Sequence, residues 1–173
     1  MRGQALEARR FWWDRTLPTD TEVDPLRAVI FDFDDAVADI EADGELAARD
    51  GLIDLVMKLF VAGVWVGVVS TNRRAEVESL VRELIGDGLV ETIVTSDDAE
   101  SCDTTDLYQL ALWEFGIDPE SALAVTGSSA GLRAATAAGL ATVVVSSDYD
   151  DFDNSAACER AHRRWWTTQK RAA

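Results

Sequence analysis

The chain has 173 residues, a net charge of −16 at pH 7, 47% apolar residues and 28% charged residues. That length supports one domain with a sizeable core rather than two, and the composition is that of an ordinary soluble fold. The acidic surface excludes nucleic acid and anionic membranes as partners, and it opposes phosphate esters unless a site supplies compensating cations.

Residues 1–26 read as an N-terminal extension in which Arg9 and Arg10 precede Phe11, Trp12 and Trp13, with no apolar signal segment. Residues 27–152 read as the core domain. Ala28 to Phe33 is an apolar run ending in carboxylates, a buried strand. Leu52, Leu55, Val56, Leu59 and Phe60 recur at helical spacing, with Asp50 as N-cap and Gly63 past the end. Val64 to Val69 is a β-branched strand, and Val77, Leu80, Val81, Leu84 and Ile85 form a second helical stripe closed by Gly86. Thr92 to Thr95 is a third strand. A third helix carries Tyr108, Ala111, Leu112 and Phe115 and ends at Gly116. Ala122 to Thr126 is a strand, Ser129 to Ala138 a helix, and Ala141 to Val145 the fifth strand. Residues 153–173 read as a C-terminal amphipathic helix with Cys158, Ala161, His162, Trp165 and Trp166 on one stripe.

Strands alternating with helices predict an α/β, three-layer Rossmann-like domain whose five-stranded parallel sheet is covered on both faces. The expected strand order is 5-4-1-2-3, and the ligand crevice lies where the strands end. No apolar run is long enough to span a membrane. Cys102 and Cys158 have no metal-type spacing. They read as free thiols of a reducing cytoplasm, with one disulfide as the alternative. His162 is the single histidine, so a histidine-based metal site or triad is excluded, and His162 itself reads as a packed side chain.

The strand ends concentrate the polar chemistry. Asp32 and Asp34 follow an apolar strand at i and i+2, which places them on one side at the C-terminal edge of the sheet. Two such carboxylates suit a nucleophile with a general acid/base, or a pair beside a divalent cation. A strand ending in solvated aspartates is the plainer alternative.

The run Phe31-Asp32-Phe33-Asp34, Ser70 in VGVVSTNRR, and the segment from Cys102 to Leu140 together resemble, in order, the motifs of the haloacid dehalogenase (HAD) superfamily. Within it they are most similar to the β-phosphoglucomutase and CbbY-like branch. The resemblance runs from about Leu26 to Asp148. It implies a nucleophile at Asp32, a proton-handling acid at Asp34, and phosphate binding at Ser70 and Thr71. It also implies Mg²⁺ held by Asp32, the carbonyl of Asp34 and further acids. The supporting positions depart from the family. Asp35-Ala36 stands for Gly-Thr, Cys102 for the lysine, Asp103 for the following proline, and Thr126-Gly127 for the metal-binding acids. Without lysine or anchored Mg²⁺, each carboxylate about 4 Å from a phosphate charge costs on the order of 4 kcal/mol. Arg73 or Arg74 is placed to supply a charge, and Asp97, Asp98 or Asp148 to supply metal ligands, with solvated loop residues as the plainer reading of those three acids.

The cap domain of this branch has no room. Only 36 positions separate Asp34 from Ser70, and 32 separate Ser70 from Cys102. The sequence thus leads to a degenerate, cap-less domain that acts through protein–protein contact as scaffold or regulatory subunit, with no cofactor. Its partner would be another protein or a second copy, met through Trp12, Trp13, Trp165 and Trp166, whereas the plainer reading of these residues is that both ends dock on the domain's own surface and finish its core. The alternative is a cap-less phosphatase that passes through a phospho-Asp32 intermediate with a rearranged Mg²⁺ site.

Overall fold

The structure is a computed structural model that describes residues 25–40, 46–100 and 103–145. Cys102, Asp148, His162 and the four terminal tryptophans lie outside the described residues, as do the extension up to residue 24 and the segment read as a C-terminal helix. Strand β1 (Ala28–Asp32) is buried along its whole length. A π-helical turn (Phe33–Val37) follows. Two short strands, β2 (Ala38–Ile40) and β3 (Leu46–Ala48), then pair antiparallel. The chain continues through α1 (Leu52–Val61), β4 (Trp65–Ser70), α2 (Arg74–Leu84) and β5 (Thr92–Thr95). It ends with α3 (Thr104–Phe115), a 3₁₀ turn (Pro119–Ser121), β6 (Ala122–Thr126), α4 (Ser129–Ala137) and β7 (Ala141–Val144).

Five strands form one parallel sheet in the order β5-β4-β1-β6-β7. Counting those five alone gives the expected order, read from the other edge. The numbering differs because the β2–β3 ribbon is not foreseen. Its strands are three residues long and half alanine, too short to carry a period-2 signal. Side chains of the sheet alternate between two cores. Val29, Phe31, Val66, Val68, Leu123 and Val125 belong to the core under α1 and α2. Ala28, Ile30, Val69, Val94, Ala122 and Ala124 belong to the core that takes in Leu107, Tyr108 and Ala111 of α3 and Ala134 and Ala135 of α4. The small residues on the second face let α3 and α4 approach the central strands closely.

Local sequence explains where the elements stop. Asp103 caps α3 by accepting from the N–H of Thr105 at 2.9 Å, so the position where the family carries proline here starts a helix. Gly116 ends α3 in the left-handed conformation, with φ of 64°. Ser128 caps α4 through the N–H of Gly131 at 3.0 Å.

Three expectations are corrected. β1 stops at Asp32, and Phe33 belongs to the turn, because Phe33, Ala36 and Val37 all point into the core at a spacing no strand provides. The N-cap of α1 is Gly51, with φ of 79°, rather than Asp50. Phe60, placed on the core stripe by spacing, is 51% exposed, and Leu52, Val56 and Leu59 form the buried row instead.

Candidate active site

The site forms where β1, β4 and β6 end side by side. Asp32 closes β1 and is only 5% exposed. Its Oδ2 accepts from the Thr126 hydroxyl, which ends β6, at 3.1 Å, and the N–H of Asp34 also donates to it. Burial, then the neighbouring charges of Asp35 and Asp34, push the Asp32 carboxyl up to about 7, against the pull of the Thr126 hydrogen bond. α4 passes very close. A Cβ on Gly131 would lie 2.0 Å from Thr126 Oγ1 and 2.6 Å from Asp32 Oδ2. Only glycine lets α4 begin there.

Asp34 faces the other way. It lies on the π-helical turn, exposed, and its carboxylate meets the loop after β4. Ser70 Oγ donates to Oδ1 at 2.6 Å and Asn72 Nδ2 to the same oxygen at 2.8 Å. The N–H and hydroxyl of Thr71 donate to Oδ2 at 3.0 and 2.9 Å. Asp32 and Asp34 therefore belong to one site, but not as i and i+2 of a strand. The end of β1 aims Asp32 at β6, and the π-turn aims Asp34 at β4. Such turns recur at functional sites, since they re-aim side chains without ending the fold.

The remaining sequence-marked positions divide. Asp35 is half-buried on the turn, and its carbonyl accepts from Arg49 Nη2 at 2.9 Å. Ala36 is buried in the core. Gly127 is pressed against the turn, since a Cβ there would lie 1.9 Å from the Asp35 carbonyl oxygen. Arg74 does not reach the site. Its guanidinium binds Asp98 at 2.6 Å, Glu78 at 3.1 Å and the carbonyl of Ile93 at 2.8 Å. Asp98 also accepts from the N–H and hydroxyl of Thr95, and Asp97 accepts from the N–H of Arg74 at the head of α2. These two acids brace the β5–α2 corner rather than offering metal ligands.

The sequence gives no functional role to Asn72, Arg49, Gly131 or Tyr108, although Asn72 lies in the loop after the second strand of the reading and Tyr108 on its third helix. Asn72 follows Ser70 and Thr71 directly, and its polar side chain was a signal. Arg49 reaches the turn only through the β2–β3 ribbon, which no pattern announced. Tyr108 lies wholly buried in α3, and among the described residues its hydroxyl has no hydrogen-bond partner. Burial and the charges of Asp32 and Asp35 drive that hydroxyl far above the usual phenol range.

Comparison with known proteins gives this corner a lineage. The family model for haloacid dehalogenase-like hydrolases matches residues 32–145, from Asp32 to the end of the described sheet. The chain belongs to the haloacid dehalogenase-like hydrolase family. Protein CbbY of Cereibacter sphaeroides is 36% identical over 123 residues, 69% of this chain and 54% of that protein. The crystal structure of CbbY from Rhodobacter sphaeroides in complex with phosphate superposes with a TM-score of 0.57 at 33% identity, covering 65% of this chain and 52% of that one. A HAD-superfamily hydrolase from Geobacter sulfurreducens superposes with a TM-score of 0.61 at 18% identity, covering 69% and 89%, which shows the shared fold. The chain spans about half the length of the curated relatives it matches.

Within the family frame, the residues between Asp34 and Ser70 form the turn, the ribbon and α1, and those from Ser70 to Thr95 form α2 and β5. Among the described residues, neither insertion point holds a cap domain. The family's Mg²⁺ does not fit the residues present. No group of three or more His, Cys, Asp or Glu side chains among the described residues is arranged to hold a metal. Thr126 spends its hydroxyl on Asp32, and the carbonyl of Asp35 fills the space a side chain at 127 would need. No described helix is long and apolar enough to cross a membrane.

Proposed function

We propose that this chain is a cap-less hydrolase domain acting on a phosphomonoester, with Asp32 as nucleophile, Asp34 as proton carrier, and Ser70 and Thr71 as phosphate-binding residues. The observation that carries this reading is the single corner where Asp32, Asp34 and Ser70 meet, inside the stretch matched by the hydrolase family, and a CbbY structure in complex with phosphate is among those similar to the chain. A carboxylate oxygen of Asp32 would form a bond to phosphorus while the phosphorus–ester oxygen bond breaks. Asp34, a carboxylate in the empty site, would take up a proton from solvent or from the phosphomonoester monoanion as the substrate enters, give it to the departing alkoxide, then take one from the water that hydrolyses the phospho-aspartate. The attack needs Asp32 ionised, so its carboxyl near 7 sets the acid limb of the rate. Arg49, bonded to the carbonyl of Asp35, brings a positive charge to an otherwise acidic turn. Without a cap, the strand ends stay open to a large phosphorylated substrate.

The direct test is release of phosphate from p-nitrophenyl phosphate with and without Mg²⁺. Wild type should turn over, and Asp32→Asn should lose at least a hundredfold in kcat. A rate equal in both proteins sinks the reading. The second reading is a binding subunit with no turnover, which uses the tryptophan-bearing ends to hold a protein partner or second copy. The lack of fit for Mg²⁺ favours it. Wild type that is inactive with any divalent ion, yet forms a complex that Trp165→Ala/Trp166→Ala weakens without unfolding, would favour it over the first.

A further inference from the structure

The loop after β4 presents an unusual concentration of donors. The Ser70 hydroxyl, the Thr71 N–H, the Thr71 hydroxyl and the Asn72 amide all converge on one carboxylate within 2.6–3.0 Å. The loop is held in that shape independently of Asp34. The N–H of Asn72 donates to Ser70 Oγ at 3.1 Å, and the Ser96 hydroxyl donates to the carbonyl of Asn72 at 3.1 Å. A rigid nest of hydroxyl, amide and backbone donors is an anion cradle, and its occupant here is the side chain of Asp34.

A hydroxyl has one proton to give. The proton of Ser70 is committed to Asp34, as is that of Thr71, and the Thr71 N–H is committed as well. None of the three can donate to a phosphoryl oxygen at the same time. Resting on the phosphomonoester reading above, the geometry points to a displacement step: the phosphoryl group enters the Ser70–Thr71–Asn72 cradle only by expelling the Asp34 carboxylate, which stands in for the ligand while the site is empty. Asp34 is free to move because it is exposed on a turn, whereas Asp32 is buried and fixed by Thr126. Expulsion takes Asp34 out of four hydrogen bonds and leaves it beside the entering group, where a proton carrier has to be. The cradle thus couples ligand entry to release of the acid.

The test is calorimetric titration of the full chain with inorganic phosphate. Asp34→Ala vacates the cradle and should bind phosphate at least tenfold more tightly than wild type, and adding Ser70→Ala to it should abolish that gain. Asp35→Ala removes an equal charge one residue away without vacating the cradle, so its gain should be several-fold smaller. Equal gains in Asp34→Ala and Asp35→Ala would mean charge relief alone and would overturn the proposal, as would no gain in Asp34→Ala. A readout on the wild-type chain covers the case in which a variant fails to fold. The carbon-13 resonance of the Asp34 carboxylate should shift as phosphate saturates, and an unmoved resonance at saturation overturns displacement. The two readings fail separately. Wild type that hydrolyses an ester while Asp34→Ala gains no phosphate affinity loses only the displacement step. Tighter phosphate binding by Asp34→Ala with no turnover by wild type loses only the hydrolase.

Discussion

The Asp32 carboxyl carries the largest electrostatic cost described in the site, and it has a measurable signature. Its folded value, about 7, lies above the ordinary 3.8. Between those values the folded chain keeps a proton that the unfolded chain has lost, so stability falls as pH rises through that window and levels off above it. The total is on the order of 4 kcal/mol for a shift of about three units. Asp32→Asn should remove this fall. Urea midpoints for the two proteins should lie close together near pH 4 and diverge by pH 8, with the variant more stable, and a constant difference across that range would contradict the assignment. Tyr108 makes a second case. Its buried hydroxyl lacks a partner among the described residues, and a buried unsatisfied polar group costs about 1–3 kcal/mol. Tyr108→Phe should therefore hold or raise stability by about 1 kcal/mol, read in the same urea titration. A loss of that size would reveal a partner. At this scale the sequence was legible for Asp32, Asp34 and Ser70, which sit next to strand ends that hydrophobic runs announce. It was not legible for Tyr108, whose spacing is that of any core residue, or for the direction in which each carboxylate points.

Among the elements, the π-turn after β1 decides more than any helix. A strand pattern continued through Phe33 and Asp34 puts both aspartates on one side. The turn instead separates them, because burying Phe33, Ala36 and Val37 together requires a helical repeat. Parallel strands and helices were readable because each has a long apolar run or stripe. The turn and the ribbon were not, since five residues and three residues hold too few repeats to show a period. The turn also explains Gly127. Putting the family's acid back with Gly127→Asp should not create a metal site, since the new Cβ meets the carbonyl of Asp35 at 1.9 Å. We expect a loss of about 2–4 kcal/mol in stability, in the range of backbone strain and overpacking combined. Calorimetry should show no gain in Mg²⁺ binding, and tight Mg²⁺ binding by a stable Gly127→Asp protein would refute this account.

For the whole molecule, the net charge of −16 means that folding gathers like charges. Screening should relieve that repulsion. Raising sodium chloride from about 0.05 to about 0.5 M, over which the Debye length falls severalfold, should raise the thermal midpoint by several degrees. A midpoint that falls would mean that ion pairs such as Arg74 with Asp98 and Glu78 outweigh the general repulsion. Charge was plain in the sequence, and so was the order of the five parallel strands and the helices between them. How the ends of the strands interlock was not, because it rests on contacts between residues nearly a hundred positions apart, as Asp32 and Thr126 are. The seat of Asp35 against Gly127 has a historical consequence. A lineage with this turn cannot regain a side chain at 127 in one step, because every residue larger than glycine collides with the backbone there. The turn would have to retract first, and that change gains nothing while position 127 is bare. The contact works as a latch: a side chain at 127 and a retracted turn have to come together, so no single substitution at 127 is accommodated while the turn keeps this shape.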